Sequence, residues 1–399
     1  MNGCDYITIT GVDSIQRLRV TNCIGKYSHI NAITTTSEMT DLIIRYVKIY
    51  DTYAGGIKII ANNSLLVEYC TIYQCFAKLC IIQSNQNTDI VVRGCQFIYT
   101  KEVDIDDPEY GNTDGIFFRL AKSILVENCY FFGMHRVHGD GIQYYRGPSE
   151  PYNGDITVRN CVFEDWRNSA IFLEETDGIA KIYNNVFYNN QRVGVENAGH
   201  DNVKIWNNTF VDHGDLRILG NVQGRAINIT GDNLTGIDIR NNIIVCFRSA
   251  GEPDLITFKA TNSVEDYNCL YDANEPNSNT CVWGNSYNNS VGDYFSAKGG
   301  PGNDINADPL FIKYVEEGPF SEQDFRLQEA SPVRGKGVDL SDEFTTDING
   351  NPRVNWDIGA YEYINTNIGD KGEPEQTVSS FLYLNPEAVS YTHLTLPTN

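Results

Sequence analysis

Basic residues are scarce in this chain. Its 399 residues include 30 Lys and Arg against 52 Asp and Glu, a formal charge of −22. That deficit argues against nucleic acid or an anionic membrane surface as a partner. No apolar run approaches the roughly 18 residues of a membrane-spanning helix, so no membrane span is expected. The 11 Cys show no zinc-ligand spacing, and their odd number leaves at least one outside any intrachain pairing. The opening MNGCDYITITG lacks the order of a signal peptide and starts in strand-like sequence, so an upstream signal and cap are expected to be missing. Strong helix formers are thin, whereas Asn, Ile, Val, Tyr, Phe and 34 Gly abound, which favours strands and tight turns.

A repeat dominates what is present. The phrase VRNCVF recurs as VENCYF, VRGCQF, VEYCTI, IYNNVF, IWNNTF and IRNNII. Its fourth position falls at Cys23, Val47, Cys70, Cys95, Cys129, Cys161, Asn185, Asn208, Asn242 and Asn268, giving steps of 24, 23, 25, 34, 32, 24, 23, 34 and 26. A base period near 24 with a few longer members predicts an all-β solenoid of about ten coils. Three residues before the marker stand Val20, Ile44, Val67, Val92, Val126, Val158, Ile182, Ile205 and Ile239. Two residues after it stand Ile49, Ile72, Phe97, Phe131, Phe163, Phe187, Phe210 and Ile244. Both columns are expected to face inward and stack coil on coil. Asn precedes the marker at Asn22, Asn128, Asn160, Asn184, Asn207 and Asn241, where it suits a left-handed corner and stacked amide bonds. The Cys column reads as a buried ladder rather than a set of disulfides, because parallel stacked side chains give poor bridging geometry. A second strand is expected to open each coil at Ile57, Ile82, Ile116, Ile142, Ile171, Val195 and Ile227, with insertions near 99–112, 146–154 and 212–223.

Coils of this length with aliphatic and Asn ladders resemble the pectate-lyase-like group of right-handed parallel β-helix proteins over roughly residues 5–275. The resemblance implies a single-stranded, right-handed parallel β-helix. It leaves activity open among lyases, glycosidases, tailspikes and proteins without known chemistry. Asn306–Phe311, Asp324–Leu340 and Asp347–Tyr363 resemble the closing region of bacterial secreted β-helix proteins, which often precedes a surface-anchoring or sorting domain. This divides the chain into a β-helix (1–275), final coils with the closing region (276–363) and a tail (364–399). In the tail, SSFLYLNPEAV resembles the start of a type IX sorting domain, with Leu384 in place of a Pro, and SYTHLTLPTN reads as non-native and disordered. The resemblance implies a secreted or cell-surface protein.

Candidate chemistry gathers at one turn. Asp114 in NTDGI and Asp140 in HGDGI each lie two residues before a strand-opening Ile, so they are expected about 5 Å apart on adjacent coils. Carboxylates that close either share a proton or are joined by a cation such as Ca²⁺. The opposing reading is that Asp-Gly only shapes the turn, with Asp capping backbone amides. NTDG also resembles one motif of polygalacturonase-type hydrolases. That family's Asp-Asp pair, Gly-His-Gly and Arg-Ile-Lys have no counterparts at matching places, so the likeness stops at Asp114 and Asp140. His138 is the candidate base, against a plain turn His. Arg167, Arg192 and Arg225 offer bidentate contacts to carboxylate or sulfate, or else offset nearby acids. On the outer face of the second strand, Gln143, Tyr145, Phe172, Glu174, Glu196 and Asn228 are expected to line a groove some 19 Å wide between insertions. The acid run Asp104–Glu109 lacks the spacing of a defined Ca²⁺ loop and reads as a solvated charge run rather than a Ca²⁺ site. The expectation is a protein acting on an extended acidic polysaccharide, foremost by β-elimination. The alternatives are hydrolysis by Asp114 and Asp140, or glycan binding without catalysis. No organic cofactor is expected.

Overall fold

A computed structural model describes residues 18–21, 31–34, 39–50, 55–73, 80–84, 89–99, 114–134, 139–145, 154–166, 168–174, 178–213, 224–231, 234–248, 254–274, 281–316 and 318–365. Each coil contributes three strands, as in Ile142–Tyr145, Asp155–Arg159 and Val162–Trp166. The third strands form a ten-stranded sheet in which every pairing is parallel. The first and second strands are joined into one further sheet because Gly55–Glu68 runs on without a break. The repeated phrase therefore holds two strands and the corner between them. In the coil of Cys129, strand Ser123–Glu127 ends at Asn128 and strand Tyr130–Met134 follows.

That corner is left-handed in coil after coil. Asn128, Asn160, Asn184, Asn207 and Asn241 have φ of 54°, 53°, 54°, 48° and 59°. Asn enters this region more readily than other residues with a Cβ, because its short amide bonds locally. The two inward columns stack as expected. Val126, Val158, Ile182 and Ile205 are paired in register and buried. Phe97, Phe131, Phe163, Phe187 and Phe210 form a stack with ring centroids 4.5 to 4.9 Å apart. Offset or parallel rings at this spacing add to the stability from area burial. Val20, Asn22 and Cys23 lie outside the residues with described side chains.

One strand start differs from the sequence expectation. Cys80, not Ile82, pairs with Ile57 and Ile116, while Ile82 pairs with Ile59 and Phe118. The slip is two residues, so side-chain parity is unchanged and Ile82 remains buried. The helix ends in a cap of another kind. Cys281–Trp283 joins the stack, folds back as a hairpin with Ser286–Asn288, and leads to the short helix Val291–Ala297. Residues from Ile305 onward then turn back along the third-strand face. Phe320, Phe325, Leu327, Ile348 and Ile358 pack there over Val162, Tyr188, Val211 and Val245. The left-handed corners serve as the rail for this return: Asn184 donates to Thr346 O (2.7 Å), Asn207 to Asp357 O (3.0 Å) and Asn241 to Val338 O (2.8 Å).

Candidate functional site

The site lies where the first strands begin. Ile116 pairs with Ile142, and Ile142 with Ile171, so Asp114, Asp140 and Ser169 occupy one level on successive coils. The same register carries that level through Val193 to Arg225. Side chains at this level share the parity of the inward Ile residues, and Asp114 and Asp140 are accordingly buried. An Asp114 oxygen accepts the Asp140 N–H at 3.2 Å. One Asp140 oxygen accepts the Ser169 N–H (3.0 Å) and the Asn168 amide (2.7 Å). Burial, then the Asp114 carboxylate and also Glu196, hold Asp140 well above the usual carboxylate range. The glycines that follow are needed for close approach: a Cβ on Gly115 would stand 2.5 Å from Gly141 O, and one on Gly141 2.4 Å from Ala170 O. Carboxylates that accept amide hydrogens inside the turn do not fit a shared Ca²⁺. Among the described residues no group of three or more His, Cys, Asp or Glu is arranged to hold a metal ion.

From Asp140 a chain of polar contacts leads outward. Asn168 accepts from Arg192 at 2.5 Å, and Arg192 lies 3.5 Å from the Glu196 carboxylate. Glu196 also accepts the Ser169 hydroxyl at 2.5 Å and the Asn228 amide at 3.5 Å. Arg225 donates to Asn228 at 3.2 Å. Six residues singled out in the sequence, Asp114, Asp140, Arg192, Arg225, Glu196 and Asn228, are thus one connected set. Arg192 and Arg225 do not form a row at a single level, because Val193, not Arg192, pairs with Arg225. His138 and Arg167, the three insertions and Asp104–Glu109 lie outside the described residues, apart from the flanks of the insertions at Tyr99, Gly154, Asp212 and His213. Ser169 is the hub that sequence reasoning left out of the site. Ser169 was within reach, since it holds in its coil the position of Asp114 and Asp140 in theirs.

The outer face of the first strands carries the rest. Phe117, Gln143, Phe172, Glu196, Asn228 and Thr257 follow one another in register along the axis. Phe117, Gln143, Phe172 and Glu196 are half-buried, whereas Asn228 and Thr257 are buried. Two residues further along each strand, Arg119 pairs with Tyr145, and Glu174 accepts from Gln143 at 3.2 Å. Phe117 and Tyr145 are tilted against each other at 6.1 Å.

Residues 29–210 match the family model described as a right handed beta helix region. The fold is a right-handed parallel β-helix. No curated protein matches the chain. No helix among the described residues is long and apolar enough to cross a membrane.

Proposed function

We propose that this right-handed β-helix is a carbohydrate-active protein that holds an extended glycan along the outer face of its first strands. The observation that carries this reading is the register of Phe117, Gln143, Phe172, Glu196 and Asn228, which sets ring faces, amides and one carboxylate in a line along the axis. The half-buried part of that line, three coil steps from Phe117 to Glu196, is about 14 Å long. Sugar rings stack on aromatic faces through their C–H groups, and amides answer their hydroxyls. Right-handed β-helices of this kind occur in pectate lyases and polygalacturonases, among other proteins, which supports a carbohydrate role. Secretion or display at a cell surface would suit such a role.

Glu196 is the carboxylate we assign to act on that glycan, because it is partly exposed, 13% of its side chain, and held by Ser169, Arg192 and Asn228. Asp114 and Asp140 stand behind it as supports of the turn. Incubation with a panel of polysaccharides tests the reading. Cleavage with unsaturated ends assigns elimination, new reducing ends assign hydrolysis, and retention without cleavage assigns binding. Glu196→Gln is expected to lower any cleavage about 10²–10⁴-fold, the span of a general acid–base contribution. Unchanged cleavage in that variant would remove Glu196 from the chemistry.

A further inference from the structure

The arginines of this edge bear on the kind of glycan it takes. A guanidinium recognises a carboxylate or sulfate by presenting two parallel N–H bonds to it. Arg192 instead gives one of its terminal nitrogens to Asn168 at 2.5 Å and faces Glu196 at 3.5 Å. Arg225 gives one to Asn228 at 3.2 Å. Both contacts are made by Nη1, so an acidic sugar that reached the rest of the guanidinium would sit beside the Glu196 carboxylate and be repelled by it. The whole chain carries −22, which repels polyanions during approach. The half-buried groups beside Glu196 along the face are uncharged: two phenylalanine rings and the Gln143 amide.

Resting on the glycan reading above, we infer that the polymer held on this face is neutral, bearing neither carboxylate nor sulfate groups. Its hydroxyls meet Gln143 and Glu196, and its ring faces meet Phe117 and Phe172. Glu196 acts here as the guard against acidic sugars, because its carboxylate stands beside the guanidinium that such a sugar would need.

The test is affinity electrophoresis of the full chain in gels that contain neutral polymers (β-glucan, xylan, mannan, galactan) or anionic ones (polygalacturonate, alginate, a sulfated galactan). Retardation is expected in at least one neutral gel, with less than a twofold change between low and high salt, and none in the anionic gels. Glu196→Gln, which keeps the side-chain shape and removes the negative charge beside Arg192, is expected to gain salt-sensitive retardation in anionic gels of at least fivefold. Retardation of the unaltered chain by polyanions, abolished by salt and by Arg192→Ala, would overturn the neutral assignment and keep the glycan reading. No retardation in any gel, with circular dichroism showing an intact β fold, would overturn both.

Discussion

One buried column of this solenoid is built from thiols in its first half and from amides in its second. Cys95 and Cys129 donate their backbone N–H to the sulfur of the next coil at 3.5 and 3.4 Å. Asn185, Asn208 and Asn242 donate theirs to the next amide oxygen at 2.9 to 3.0 Å. Each side chain also reaches back to a carbonyl of the preceding coil. Cys129 meets Val92 O at 3.7 Å, whereas Asn208 meets Ile182 O at 2.9 Å. The position requires a small group that accepts once and donates once, and Cys meets that need weakly. Asn has a second donor hydrogen, which it spends on the next amide at 3.0 Å. The ladder stops at Asp304, an acceptor with nothing to donate, which takes the Asn268 N–H at 2.7 Å and is paired with Lys298. The amide half is also the half that the returning C-terminal segment covers.

The widest gap between the halves should appear on truncation. Asn208→Ala leaves two donors of Asn185 and the Ile182 carbonyl without their partner and removes one of the two hydrogen bonds to the Asn242 oxygen, and is expected to cost about 4 kcal/mol in denaturant unfolding. Equal losses for Asn208→Ala and Cys129→Ala would break the distinction between amide and thiol.

Next comes the boundary, where Glu164 on the last Cys coil accepts the Phe320 N–H (2.7 Å) and the Tyr130 hydroxyl (2.5 Å). Burial raises Glu164 from 4.5 to about 7. The folded state therefore binds a proton that the unfolded state releases, so this group's contribution falls as pH rises from about 4.5 to about 7. His213 acts in the opposite sense: burial lowers it from 6.5 to about 3, so its contribution is lost as pH falls through that window. The difference in unfolding free energy between the wild type and Glu164→Gln isolates the first effect. It should change by about 3 kcal/mol across the window, and a flat difference would remove Glu164 from the pH response.

Cys129→Ala should cost less, about 2 kcal/mol, from lost burial and weak sulfur bonds. The smallest expected effect separates covered from uncovered corners. Asn207→Gly keeps the left-handed backbone but loses the bonds to Asp357 O and Gly359 O, for about 1.5 kcal/mol. Asn160→Gly, at the same kind of corner with its amide oxygen unbonded, should stay within about 0.5 kcal/mol. If both cost the same, the rail does not hold the C-terminal segment.

Some of the candidate site was legible before the fold was seen. The shared level of Asp114 and Asp140 followed from counting two residues back from Ile116 and Ile142. Counting did not reveal that this parity points the carboxylates under the turn, onto the amides of Asp140 and Ser169. The expected column on the outer strand face, Gln143 to Asn228, needed only alternation, and it lies in register. The same count from Val195 and Ile227 already sets Arg192 one residue out of line with Arg225, but it could not show that Asn168 and Glu196 engage Arg192. Those bonds depend on how wide the turn is between Trp166 and Ser169.

The sequence alone determined the period, the inward columns and the left-handed corners, because each is a local rule repeated. A β-branched residue three places before the marker, a ring two places after it and Asn before it reproduce one coil, and stacking multiplies it. The tertiary structure decided what lies far apart in the chain. The return of residues 305–363 over coils 161–268 pairs Glu164 with Phe320 and Asn184 with Thr346, contacts across 156 and 162 positions. No periodicity encodes them. They form because the outer side of the third strands is apolar in those coils and that surface must be covered.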